Sequence, residues 1–290
     1  MKKRALIYII LAGIFWGTSG IFVHYLAPYG FSSLEMTGVR AVVALMVMLI
    51  FALIRDRGLF RAKLIYLPIF FAIGATLFLT AFFYYSAMQQ TSVSTAVILM
   101  NTAPIYVIIA SALFFKEKIT PQKLIAVTLM LVGGCFVAGI VGGLKFHPTG
   151  IIISVASGLS YAAYNLFTKF AMQKGVKPIT SALYSFAFMT AISLFAVSPA
   201  EIISKATVTP EITLPLLVGL GICTFVTPYF LYTLAMRELP AGTVSALGIV
   251  EPMAACAFSI IIFKERPDVF SIIGIVLIIF AIFLIGKSEE

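Results

Sequence analysis

The sequence predicts an all-α integral membrane protein of ten transmembrane helices, built as two five-helix repeats of inverted topology. Three observations carry that prediction. Of 290 residues, 61% are hydrophobic and only 11% charged, which leaves too little polar surface to clothe a soluble globule. Ten apolar runs follow one another with short connections. Landmarks of the first half recur in the second at a nearly constant offset of 148 residues.

Taken in order, the runs fall at about 5–26, 34–54, 64–88, 93–115, 122–142, 149–172, 179–197, 213–236, 242–263 and 269–286. A helix of about 20 residues crosses the roughly 30 Å hydrocarbon core, and lipid offers no partner to an open sheet edge, so each run is expected to be helical. The opening Met1-Lys2-Lys3-Arg4 imitates a signal peptide, but the apolar run continues to about Leu26 without a small-residue cleavage site. An uncleaved first helix is expected. The longest connection, about 198–212, leaves no room for a soluble domain. Cys135, Cys223 and Cys256 all fall inside runs without metal-ligand spacing, so they imply neither a disulfide nor a metal site.

In a soluble chain a net charge of +9 would suggest a nucleic-acid partner; here the basic residues sit in the short loops and report topology instead. With the N-terminus inside, fifteen of the twenty Lys and Arg residues fall on the inner side. Four fall outside, Lys145, Lys205, Lys264 and Arg266, and Arg40 lies within a span. Both termini are therefore expected on the cytoplasmic side of a plasma or bacterial inner membrane.

The halves repeat. Phe115-Lys116-Glu117 matches Phe263-Lys264-Glu265, and Ala87-Met88 matches Ala235-Met236, each 148 apart. Leu67-Pro68, Gly74 and Thr80 match Leu214-Pro215, Gly221 and Thr227 at 147, so one residue slips between. A five-span unit is odd, so its second copy enters from the opposite side, and the units 1–145 and 146–290 are expected to be inverted repeats of one membrane domain. Inversion also explains the outer position of Lys264 and Arg266: their loop is the counterpart of an inner one.

Phe15-Trp16-Gly17-Thr18-Ser19, Arg40, Phe115-Lys116-Glu117, and Glu251-Pro252 followed by Phe263-Lys264-Glu265 together resemble the EamA family of the drug/metabolite transporter superfamily, over nearly the whole chain. The resemblance implies a permease or exporter of small metabolites, often amino acids or related compounds. It also exposes a departure. The first span holds no acidic residue, whereas small multidrug resistance relatives couple protons through a glutamate there.

The stretch Gly248-Ile249-Val250-Glu251-Pro252 lies about halfway along its run, where a carboxylate is costly and marks a candidate site. Pro252 removes a backbone donor and leaves polar backbone that must face protein or a water-filled cavity. Pro104 repeats the break, 148 residues earlier. Paired interrupted spans point to the central site of a transporter. Asn101, three residues before Pro104, either repairs the broken backbone or meets the solute.

Gly13, Gly17 and Gly20 form a smooth stripe for close packing against another helix. Trp16, the only tryptophan, adjoins it well inside the span, where its indole N–H needs a partner that packing or a solute cavity can supply. Ser157, Tyr161, Tyr164 and Thr168, with Asn165 beside them, make one polar face of the sixth span, which serves either helix–helix hydrogen bonding or a solute cavity, and Tyr161 falls at the repeat position of Trp16. Thr76, Thr80 and Tyr84 of the third span answer Thr224, Thr227 and Tyr232 of the eighth. Such a lining suits a polar solute with an apolar body. Arg40 has either a structural role, pairing with a helix C-terminal carbonyl or Glu35, or an anion-binding one. Glu251 has three open roles: a structural hydrogen-bond donor, a proton-coupling site, or a contact for a cationic solute group.

Enzymatic chemistry finds little support. Gly17-Thr18-Ser19-Gly20 spells the motif of rhomboid-type intramembrane proteases, but His24 projects from another face of the same helix and His147 lies in a loop. A membrane ligand sensor or accessory subunit would require a soluble output element that the loops do not offer. The expectation is a carrier working by alternating access, its cavity lined by the first, third, fourth, sixth, eighth and ninth spans. It calls for no cofactor or metal and no nucleic acid; its partners are a small-molecule solute and the bilayer.

Overall fold

The computed structural model describes residues 2–55, 57–90, 96, 99–137, 148–264 and 269–288. The readings made above for Lys145, His147, Glu265 and Arg266, and for the start of the fourth run, lie outside the described residues. Among those described, every regular element is helical. The first half comprises α1 (Lys2–Gly17), α2 (Ser19–Leu26), α3 (Ser33–Arg55), α4 (Leu67–Gln90), α5 (Ala103–Phe115) and α6 (Pro121–Val137). The second comprises α7 (Pro148–Gln173), α8 (Pro178–Ala196), α9 (Pro199–Ala206), α10 (Pro210–Gly221), α11 (Thr227–Glu238), α12 (Ala241–Leu247), α13 (Val250–Phe263) and α14 (Val269–Ser288).

Local chemistry sets these boundaries. Pro121, Pro148, Pro178, Pro199 and Pro210 each open a helix, where the missing N–H is not needed. Ser32 and Glu35 form a reciprocal capping box on α3: the Ser32 N–H donates to Glu35 Oε2 at 2.7 Å, and the Glu35 N–H to Ser32 Oγ at 3.2 Å. Ser198 Oγ caps α9 by accepting from the Glu201 N–H at 3.4 Å. The connection 198–212 thus contains a short helix, which Ser198-Pro199 followed by Glu201 announces. Lys116 and Lys264 end α5 and α13 at φ 55, the same left-handed turn at the same repeat position. That turn costs a non-glycine residue ~1 kcal/mol.

Seven helices among the described residues are long and apolar enough to cross a membrane, and three shorter apolar ones occupy Ala103–Phe115, Pro121–Phe136 and Ile272–Ile285. Large apolar side chains such as Ile54, Leu113, Phe195 and Ile261 point outward, as suits lipid rather than water.

Packing follows the repeat. α4 packs on α7 as α1 packs on α11; α4 on α8 as α3 on α10; α5 on α7 as α1 on α13. Three further pairs, α3 with α8, α5 with α12 and α6 with α14, join an element to its own counterpart. Exchanging the halves leaves this pattern unchanged, which is the signature of a pseudo-twofold arrangement. Within it α4 and α7 run antiparallel. Tyr66, just before α4, donates to the Lys174 carbonyl at the end of α7 at 3.3 Å, while Thr149 at the start of α7 donates to Gln90 at the end of α4 at 2.8 Å.

Candidate functional site

Among the described residues three spans are broken in their interior, and each break has a local cause. In the ninth, Pro252 cannot donate to the Gly248 carbonyl, which accepts the Glu251 N–H at 3.0 Å instead, and α12 gives way to α13 across Gly248 and Ile249. In the fourth, Pro104 plays the same part: α5 starts at Ala103, and the Thr102 hydroxyl returns to the Leu99 carbonyl at 2.6 Å. The first span breaks between α1 and α2 at Thr18. There the Thr18 and Ser19 hydroxyls take the carbonyls of Phe15 and Trp16 at 2.6 and 2.5 Å. Hydroxyls repairing freed carbonyls are how irregular backbone survives at membrane depth.

Glycines bring these breaks to one place. A methyl group on Gly13 would lie 2.8 Å from the Val250 Cβ and 3.3 Å from the Glu251 nitrogen, and one on Gly17 2.7 Å from the Ala254 Cβ, so α1 rests directly on the start of α13. Gly158, at the repeat position of Gly13, faces the carbonyls of Leu99 and Met100 in the fourth span. The expected stripe is therefore real for Gly13 and Gly17. Gly20 differs: nothing lies within 4 Å of where its side chain would begin.

Trp16 and Tyr161 converge on the break at Gly248. A side chain there would meet the Tyr161 hydroxyl at 3.6 Å and the Trp16 ring at 3.9 Å. Around them lies an aromatic cluster. Trp16 is 5.1 Å from Tyr229, edge-on, and 5.3 Å from Tyr232; Tyr161 is 5.9 Å from Tyr164 and 6.4 Å from Tyr232. Asn165 ties it together: its Nδ2 donates to the Tyr161 carbonyl at 2.6 Å, and its Oδ1 accepts the Tyr232 hydroxyl. Asn165 and Tyr232 have no solvent exposure, whereas Tyr161 and Glu251 keep some.

Glu251 lies in the first turn of α13, where a carboxylate meets the positive end of the helix dipole. Arg40 donates to Thr37 Oγ1 at 3.2 Å. Glu35 is not its partner, because Lys205 holds that carboxylate at 2.7 and 2.8 Å. Asn101 and Pro252, from opposite halves, line one narrow pocket with Met130, Gly134, Cys135 and Ile249. Thr80 is placed differently: its hydroxyl donates to its own helix at the Thr76 carbonyl, 2.7 Å, and its carbonyl accepts from Ser157 at 3.0 Å. Tyr84 is half-buried further along α4.

Sequence reasoning passed over two features. The eighth span carries a π turn at Ile222–Val226, whose signal is Pro228 just beyond it, and this turn presents Phe225 to Tyr229 at 4.5 Å. A polar clamp also grips the turn between α11 and α12. Lys169 Nζ donates to the carbonyls of Met236 and Leu239 at 3.1 and 2.6 Å, while Glu117 accepts the N–H groups of Ala241 and Gly242 at 2.9 and 3.5 Å. A lysine one turn before the end of its span was the available signal.

Comparison with known proteins agrees with this architecture. The sequence model of the EamA-like transporter family matches the chain twice, over residues 3–139 and 148–287. An uncharacterized transporter of Archaeoglobus fulgidus is 28% identical over 92% of this chain and 90% of its own length. The uncharacterized transporter YwfM of Bacillus subtilis is 23% identical over 98% and 94%. A crystal structure covering the whole of both chains superposes with a TM-score of 0.83 at 17% identity, a likeness of fold alone.

Proposed function

We propose, from the premise that the chain belongs to the EamA-like transporter family, that it carries small amphipathic metabolites such as amino acids or related amines by alternating access around the Gly248 break. Export or facilitated passage is favoured over uptake. The observation that carries this reading is the convergence of Trp16, Tyr161, Glu251 and the Pro252 break at one point, with the broken fourth span alongside. Aromatic faces suit an apolar body, and Glu251 and Arg40 suit polar ends.

The proposed topology is ten spans in two inverted repeats, 1–145 and 146–290, with both termini cytoplasmic. Contacts near the span ends support it. The Glu117 and Lys169 contacts to the 236–242 turn join segments assigned to the inner side, and Glu35 with Lys205 joins two assigned to the outer side. The pseudo-twofold packing is what inverted repeats produce, and repeats of this kind exchange access by rocking against each other about a fixed site. Glu117 and Lys169 then act as the inner latch.

Counterflow in proteoliposomes with pooled labelled amino acids and amines tests the proposal. Accumulation of label against unlabelled internal solute is expected. Binding without any flux would favour a ligand sensor.

A further inference from the structure

We infer that the 57–66 turn and the α7–α8 turn together form a binding site for the headgroup of an anionic phospholipid. Two tyrosines fasten these turns to each other from opposite halves: Tyr184 donates to the Phe60 carbonyl at 2.7 Å, and Tyr66 to the Lys174 carbonyl at 3.3 Å. The result gathers four exposed cations, Arg61, Lys63, Lys174 and Lys177, at one end of the bundle. Gly175, at φ 76, makes the tight turn that leaves both Lys174 and Lys177 exposed, three residues apart. No Asp or Glu occurs in 57–67 or 171–184, Asp56 being the nearest in sequence, so nothing within these segments neutralises the cluster.

The apolar residues decide in favour of a lipid over a soluble anion. Leu64 and Ile65 are each 79% exposed beside the cations, and Lys174 Nζ lies 5.2 Å over the Phe170 ring, which is itself exposed. A phosphate dissolved in water gains nothing from such flanks. A phospholipid does: its phosphate meets the cations while Leu64 and Ile65 enter the boundary between headgroups and acyl chains.

The test is lipid retention by the purified protein in detergent, read by native mass spectrometry with phosphatidylglycerol, phosphatidylcholine or glycerol 3-phosphate added. The wild type is expected to retain phosphatidylglycerol at least about tenfold more tightly than phosphatidylcholine. Each lysine at the surface contributes roughly fivefold, so Lys174→Gln with Lys177→Gln weakens phosphatidylglycerol about 30-fold. Lys116→Gln with Lys118→Gln, equally cationic and exposed, changes it less than about threefold, and Lys174→Arg with Lys177→Arg retains it. Unchanged retention in the Lys174/Lys177 glutamine variant overturns the site. So does an equal loss in the Lys116/Lys118 variant, which would mean diffuse surface charge. Displacement of the lipid by glycerol 3-phosphate at equal concentration would make it a soluble-anion site instead.

Discussion

Glu117 accepts the backbone N–H of Ala241 at 2.9 Å, so the last residue of the first half's repeated tripeptide caps the helix on which the second half's broken span begins. Lys169 holds the other side of the same turn through the Leu239 carbonyl at 2.6 Å. A carboxylate at a helix N-terminus contributes ~0.3–1 kcal/mol, more when half-buried. Glu117→Ala removes both charge and acceptor, and Glu117→Gln keeps an acceptor. Labelling of a cysteine placed at Ala241 is expected to speed up about fivefold in the alanine variant, with the glutamine variant in between. Equal labelling in all three would mean that the turn does not open.

The prolines are the next test. Pro104→Ala and Pro252→Ala each restore a donor and favour a continuous helix, so both proteins are expected to insert normally. Exchange falls about tenfold, equivalent to ~1.4 kcal/mol on the barrier. Wild-type exchange in both variants would make the breaks packing features and move the site elsewhere.

Glycine substitutions separate contact from mere spacing. Gly17→Ala drives a methyl to 2.7 Å from the Ala254 Cβ and 2.8 Å from the Ala255 nitrogen, and is expected to cost ~1–3 kcal/mol. Gly20→Ala meets nothing within 4 Å and is expected to be neutral or slightly stabilising. Thermal unfolding in detergent reads both; a lower melting temperature for Gly20→Ala than for Gly17→Ala would contradict the packing described.

The aromatic cluster distinguishes stacking from hydrogen bonding. Trp16→Ala and Tyr161→Ala are expected to weaken solute binding at least about tenfold, whereas phenylalanine at either position keeps most of it. Tyr232→Phe leaves the ring in place but removes the bond to buried Asn165, and is expected to cost ~1–3 kcal/mol of stability. Solute binding and melting temperature on the same samples check this; a uniform loss of folded protein would assign the whole cluster to structure.

Much of this was legible because membrane helices announce themselves by length and apolarity, and repeats by arithmetic. Trp16 and Tyr161 were found as a pair by their spacing, and Pro252 and Pro104 as breaks by their chemistry. Other features depend on contacts that no local pattern encodes. Arg40 stands five residues after Glu35, but Lys205, some 170 residues away, takes that carboxylate. Thr80 reads as a lining hydroxyl; in place, it repeats the habit of helical threonines and donates to the carbonyl four residues back. The role of Glu117 was hidden because its partner is backbone from the other half of the chain.

The most direct test of the central claim is counterflow by the Glu251→Gln variant, measured with and without an imposed pH gradient. Glu251 opens α13 at the break, just beyond Gly248, on which Trp16 and Tyr161 converge. If it recognises a cationic group of the solute, the glutamine variant binds solute at least about tenfold more weakly in both conditions, because the lost attraction does not depend on the gradient. The opposite result would be a wild type that moves one proton with each solute and a glutamine variant that loses that proton while keeping its affinity. That outcome would make Glu251 a coupling residue and remove it from the binding site.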